Sequence, residues 1–144
     1  MKVIIQRSKK SNVKINGAIY NSIDKGMVVL VGFCATDNEK IIKEMANKIV
    51  NLRIFDDEEG VMNKSIIDVS GEILSISQFT LYANTKKGNR PSYTEALKGE
   101  LATDLYDKFN ELLSDVVPTK TGVFGADMLV TIENNGPVTI MLEK

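Results

Sequence analysis

Histidine is absent from the 144-residue sequence, and cysteine occurs once, as Cys34. Without histidine there is no Ser-His-Asp triad, no His-ligated zinc site and no imidazole general base. A single thiol builds neither an internal disulfide nor a Cys-rich metal site, so nothing points to an oxidising compartment. Long apolar runs are missing as well. The longest, Met27 to Ala35, is interrupted by Gly32 and is too short to span a bilayer. The opening Met1-Lys2-Val3-Ile4-Ile5-Gln6-Arg7 turns polar too early for a secretory leader. The expected location is the cytoplasm. Neither sign of charge dominates: Lys plus Arg number 18 and Asp plus Glu 19, a formal net charge of -1. This excludes a protein that coats polyanions generally, while leaving room for local nucleic-acid contact.

What is present suits a folded chain. Hydrophobic residues are 43% and charged residues 26%, too apolar for disorder. The length predicts one domain over residues 1–144, which buries roughly two-thirds of its unfolded surface and needs no staple.

Local pattern predicts a short strand over Val3 to Arg7 and a hairpin in which Asn16-Gly17 joins Val13-Lys14-Ile15 to Ala18-Ile19-Tyr20. Met27 to Phe33 reads as a strand buried on both faces. Thr36 and Glu39 have capping-box spacing, with Asp37 an alternative cap, before an amphipathic helix from about Asn38 to Leu52. Asp56 to Gly60 lacks the ligand pattern of a calcium loop and reads as a solvated turn. Glu72 to Tyr82 reads as a strong strand. Ser92 to Glu95 repeats the capping-box spacing, and Leu97, Leu101, Leu105, Phe109 and Leu112 form the stripe of a second helix ending near Ser114. Three closing strands follow, over Thr121 to Phe124, Met128 to Glu133 and Val138 to Glu143. The expected fold is α+β, a mainly antiparallel sheet with two amphipathic helices covering one side. Gly122-Val123-Phe124-Gly125 lacks the Lys-Ser/Thr pair of a phosphate loop.

Three segments carry candidate chemistry. In Ser77-Gln78-Phe79-Thr80-Leu81-Tyr82, polar groups enter an apolar strand, and period two puts Gln78, Thr80 and Tyr82 on the face of Leu74 and Ile76. They line either a pocket for a polar ligand or a solvated edge. Asn134-Asn135-Gly136-Pro137-Val138-Thr139 is either a hairpin turn or a held Gly-Pro whose carbonyls bind an ammonium group. Gly122 to Met128 either bends the sheet or lets a flat base approach the backbone beside Phe124 and Met128. Lys86, Lys87 and Arg90 form a basic loop right after the polar segment, solvated or holding phosphates.

At these residues the sequence resembles the D-aminoacyl-tRNA deacylase family, along essentially the whole chain. The resemblance is carried by Val3-Ile4-Ile5-Gln6-Arg7, Leu52-Arg53-Ile54-Phe55, Ser77 to Leu81, Gly88-Asn89-Arg90-Pro91-Ser92, Gly122 to Met128 and Asn134 to Thr139. Asn135 stands where the family often has Asp, and Tyr93 where Phe is common. The resemblance implies the family's fold and a homodimer with both active sites at the subunit interface. It implies aminoacyl-tRNA, through its 3′-terminal adenosine, as the partner, with no metal, cofactor or membrane. The implied reaction is hydrolysis of the ester of D-aminoacyl-tRNA, and of glycyl-tRNA mischarged on tRNA-Ala. It further implies that Gly136 and Pro137, their peptide in cis, enter the other subunit's pocket and reject L-aminoacyl esters. Ser77, Gln78, Phe79 and Thr80 would line that pocket, Arg7 would hold the Gly-Pro segment, and Phe124, Ala126 and Met128 would neighbour the adenosine.

Without histidine, Thr80 has no obvious base to make it a nucleophile. The alternative is substrate-assisted: N–H groups near Phe79 and Thr80 stabilise the oxyanion, the ribose 2′-hydroxyl orients water, and Thr80, Ser77 and Gln78 position. The competing functions are an L-amino-acid editing deacylase, a relative with a trans Gly-Pro and relaxed chirality, and a non-catalytic RNA-binding module.

Overall fold

A computed structural model describes residues 1–144. Its central strand is β1, Lys2–Ile15, one strand where the sequence pattern predicts two. The intervening Ser8 to Asn12 is polar but contains no Gly or Pro, and the ladder passes through it by shifting register against β8. Asn16 and Gly17 then turn the chain into β2, Ala18–Ile23, with φ of 52° and 81°, the conformation expected of a two-residue type I′ hairpin. Strand β3, Gly26–Gly32, is apolar on both faces because both are covered, as expected.

The sheet is mostly antiparallel, as expected, with a parallel part that the sequence pattern does not predict. β1 pairs antiparallel with β2, β3 and β8 (Leu129–Glu143). β3 pairs parallel with β6, Glu72–Ser77, and β6 parallel with β7, Thr119–Thr121. Parallel neighbours need long crossovers. Helix α1 (Glu39–Val50) and the small hairpin β4 (Phe55–Asp56) and β5 (Met62–Lys64) supply the first. Helix α2 (Glu100–Ser114) supplies the second.

Helix α1 buries Ile42, Met45, Ala46 and Ile49 of the apolar stripe its sequence predicts, with Val50 in addition, while Ile41 and Leu52 of that stripe are partly buried. Its cap is Asn38, whose Oδ1 accepts from the Lys40 and Ile41 amides at 3.1 and 3.2 Å, rather than Thr36 or Asp37. Asp37 is engaged elsewhere: its carboxylate accepts from the Cys34 amide at 2.9 Å and pairs with the Met1 ammonium at 2.6 Å. Helix α2 starts at Glu100, eight residues after the predicted cap at Ser92. The intervening residues turn at Thr94 and Glu95 and are then held against the end of β3, Ala96 bridging Cys34 and the Leu97 amide donating to Phe33 at 2.9 Å. The buried face of α2 is Ala102, Tyr106, Phe109 and Leu113, while Leu101 of the predicted stripe is 66% exposed. Phe109 of the predicted stripe is fully buried and Leu105 and Leu112 pack against the core, so the buried face is rotated toward Tyr106 and Leu113.

The sheet separates two apolar clusters. The larger joins both helices to Val3, Ile5, Val29 and Val31. The smaller, Val13, Ile23, Val28, Leu74 and Ile76, lies on the opposite face, with Met128 and Val130 packed against it. It forms the floor from which the candidate site rises.

The capping difference has a measurable consequence. Asn38→Ala is expected to lower stability by about 1 kcal/mol, and Thr36→Ala by less than about 0.5 kcal/mol, in urea unfolding.

Candidate active site

A cavity of about 280 Å³ opens where β6 ends. One wall is Ile76, Ser77, Gln78 and Phe79; the other is Phe124 to Met128, from the connection between β7 and β8, with Val130. Two of the three segments singled out in the sequence therefore share one cavity.

The first wall differs from its predicted form. The strand stops at Ser77, and Phe79–Tyr82 is a single turn of 3-10 helix. The Gln78 amide donates to Val31 at 2.7 Å, the last ladder bond. Gly32 follows on β3, and the chain folds across it: a Cβ there would lie 2.8 Å from the Gln78 carbonyl oxygen. The period-two face of Gln78, Thr80 and Tyr82 is therefore not formed. Thr80 is half-buried outside the cavity lining, and its Oγ1 accepts a hydrogen bond from Gln78 Nε2. The amides of Phe79 and Thr80, first in the turn, have no acceptor within the chain. Phe79 is 51% exposed and stands edge-on to Tyr93, ring centroids 5.2 Å apart.

The second wall is anchored by Phe124, tilted against the buried Tyr106 ring at 5.9 Å. The Tyr106 hydroxyl donates to the Ser75 carbonyl at 2.8 Å, tying α2 to β6 beside the cavity. Gly122 does not open a path for a flat base. A Cβ there would lie 2.5 Å from the Met128 sulfur and 3.1 Å from Ile76 Cδ1, so its space is filled by packing.

Asp127 is the one ionisable side chain on the cavity wall, an exposed carboxylate that sequence reasoning did not single out. Its only signal is its place between Ala126 and Met128. Tyr82 does not line the cavity. Its hydroxyl is held far above the usual phenol range, by burial first and then by hydrogen bonding with Cys34 and the charge of Asp37. A neutral phenol so placed is no general base. Cys34 itself is half-buried, with its sulfur 3.2 Å from Thr36 Oγ1.

The third segment is neither a hairpin turn nor part of this cavity. β8 runs through it in one direction along β1. Gln6 faces Thr139 and Ser8 faces Asn134, so Asn135 to Val138 bulge out opposite Arg7 alone. Gly136 and Pro137 are exposed at the crest, joined by a cis peptide bond. Arg7, 7% exposed, holds the base of the bulge. Its Nε donates to the Asn135 carbonyl at 3.1 Å, and its Nη1 to the Ile54 carbonyl and Asp56 Oδ1, both at 2.9 Å. Neither Gly136 nor Pro137 lines the cavity of its own chain.

The model of the D-Tyr-tRNA(Tyr) deacylase family matches residues 4–143. The chain belongs to that family. It is a hydrolase acting on D-aminoacyl-tRNA. A solved structure described as "c-Myc DNA Unwinding Element Binding Protein" is 41% identical, with a TM-score of 0.95, covering 100% of this chain and 99% of its own. Another, "Structural Analysis of a probable eukaryotic D-amino acid tRNA deacylase", shares the fold at a TM-score of 0.85 and 18% identity, covering 98% and 97%. Membership of a hydrolase family stands against a purely non-catalytic RNA-binding role. No helix of the enzyme is long and apolar enough to cross a membrane.

Proposed function

We propose that the enzyme works as a homodimer in which Gly136 and Pro137 of one subunit close over the cavity of the other. This arrangement admits D-aminoacyl and glycyl esters, including glycyl-tRNA mischarged on tRNA-Ala, and refuses L-aminoacyl esters. The observation that carries the reading is the separation of the two halves: each chain has a cavity without a gate and an anchored bulge that misses its own cavity. A second copy supplies what each lacks. The free edge supports this. β8 pairs only with β1, and Leu129 and Met141 on it are 66% and 68% exposed. A 15-residue edge with unpaired backbone groups is a template for association.

Selection then follows from geometry. The α-ammonium rests on main-chain carbonyls of the bulge, and the ester carbonyl faces the Phe79 and Thr80 amides. With these two substituents of Cα fixed, exchanging hydrogen and side chain turns the L side chain into the gate. Glycine presents hydrogen in both directions and passes. In hydrolysis, water oxygen bonds to the ester carbon and the carbonyl becomes an oxyanion on the two amides, each worth about 3 kcal/mol. The bond to the ribose 3′-oxygen then breaks and that oxygen takes a proton, releasing D-amino acid and tRNA. The ribose 2′-hydroxyl orients the water. Thr80 and Gln78, joined by their hydrogen bond, position the wall beside Ser77. Phe124, Ala126 and Met128 face the terminal adenosine, and Arg7 keeps the bulge in register.

Assayed side by side, D-tyrosyl-tRNA and glycyl-tRNA are expected to be cleaved at least about 100-fold faster than L-tyrosyl-tRNA, a difference of about 2.7 kcal/mol. Comparable L-ester cleavage rejects the chiral gate and favours an L-amino-acid editing enzyme.

Thr80→Ala and Asp127→Asn are each expected to keep kcat within about tenfold, while a substrate ending in 2′-deoxyadenosine loses about a hundredfold, the size of a general-base contribution. A dead Thr80→Ala enzyme, with an acyl group trapped on the wild type, assigns Thr80 as nucleophile.

Ala126→Trp fills the cavity, and Pro137→Glu puts a carboxylate on the gate. Each alone should be inactive, and a mixture after subunit exchange should regain roughly a quarter of wild-type turnover, because half its dimers contain one intact site. Absence of recovery in a mixture proven to exchange removes the shared site.

A further inference from the structure

The loop that leaves the 3-10 turn has a construction of its own. Asn84 and Ser92 close its base with paired backbone hydrogen bonds of 2.8 and 3.0 Å. Asn84 Oδ1 accepts from the Lys86 amide at 3.1 Å, which fixes the first bend. Within the loop lies a depression of about 270 Å³ lined by Asn84, Lys86, Lys87 and Ser92, with no apolar side chain. The residues from Asn84 to Thr94 include Lys86, Lys87 and Arg90 and no acid, in a chain whose net charge is -1. None of the three cations meets a carboxylate, whereas Lys2, Arg7, Lys64, Lys108, Lys120 and Lys144 all do. Three cations without a paired carboxylate therefore lie together between Lys86 and Arg90. The depression is also tied to the cavity. Tyr93, next to Ser92, packs edge-on against Phe79 of the cavity wall.

We infer that the Asn84–Ser92 loop binds the phosphodiester backbone of the substrate's single-stranded 3′ end, one step outside the ester-binding cavity. The inference rests on the deacylase reading and adds to it the place where the RNA backbone is held. Two ammonium groups, a hydroxyl and a side-chain amide around a small concavity suit phosphate oxygens, and the absence of apolar lining leaves nothing for a base or an apolar peptide. A strand whose terminal ester lies in the cavity leaves over Phe79 and Tyr93, whose partly open rings face it before the cations do. The small footprint suits the balanced net charge, since it needs a few phosphates and no long groove.

The test uses the full-length Lys86→Ala/Lys87→Ala variant, whose changes are on exposed side chains. Turnover is compared on D-tyrosyl-tRNA and on D-tyrosyl-adenosine, which has no phosphate. The expected result is that the ratio of kcat/KM for tRNA over adenosine falls at least about tenfold, with a salt dependence shallower by about 1 logarithmic unit per decade. In parallel, fluorescence anisotropy measures binding of an uncharged CCA-ended RNA hairpin and of duplex DNA of equal length. The variant should lose RNA affinity by a similar factor. An unchanged ratio with unchanged RNA binding overturns the inference, as does a greater loss of DNA than of RNA binding. Should wild type cleave neither ester, the deacylase reading falls, and RNA binding alone decides the role of the loop.

Discussion

A single buried guanidinium organises the part of the molecule that carries the bulge, away from the candidate cavity. Arg7 lies on the core-facing side of β1 and is almost withdrawn from water. Such a charge is tolerable only when its donors are matched, because an unpaired buried ion costs several kcal/mol. The matching groups come from three places in the chain: the Ile54 carbonyl, the Asp56 carboxylate and the Asn135 carbonyl. Two of them fix the segment that follows α1, and the third fixes the bulge. A lysine offers one compact charge and cannot span the same fork. The four-residue excursion in β8 is therefore an anchored projection from a strand whose two flanks keep their ladder with β1.

The second constraint is the missing imidazole. On the proposed reading, an ester hydrolase without histidine draws its acceleration from backbone donors beside the cavity and from the substrate itself. The Phe79 and Thr80 amides are free at the start of the 3-10 turn, Gln78 and Thr80 bind each other, and the buried Tyr82 phenol stays protonated. Backbone donors in fixed positions cost no reorganisation when charge develops. The substrate helps, because its ammonium group already activates the ester.

Much of this was legible in the sequence where local chemistry leaves one solution. Asn16-Gly17 specifies its turn, and Met27 to Phe33 specifies a strand covered on both sides. The parallel pairing of β3 with β6 was not legible, because it depends on what the crossover packs against. The end of β6 was hidden for a similar reason: Ser77 to Tyr82 reads as strand, and the turn arises where Gly32 on a neighbouring strand lets the chain cross. Asn134 to Pro137 has the composition of a hairpin, and only the continuing ladder on both flanks makes it a bulge. The start of α2 was misplaced because Ser92 has a cap's spacing but its backbone is committed to Asn84. Asp127 gave no signal beyond its neighbours. The two cavity walls are fifty residues apart in sequence, and what associates them at the sequence level is family resemblance rather than periodicity.

On the proposed reading, chirality is judged by main chain rather than by side chains, and this fits the way the two parts are built. A pocket that discriminates by side-chain shape shifts with each substitution and with each rotamer. A projection of backbone carbonyls, clamped at its base by Arg7 and flanked by strand pairing, has few soft degrees of freedom. It rejects the wrong hand by position and is indifferent to what the correct hand carries, so one gate serves many D-amino acids. The cost is glycine, which has no hand to reject. Any exclusion filter of this kind must let it through, and breadth toward D side chains and permissiveness toward glycine are therefore the same physical property.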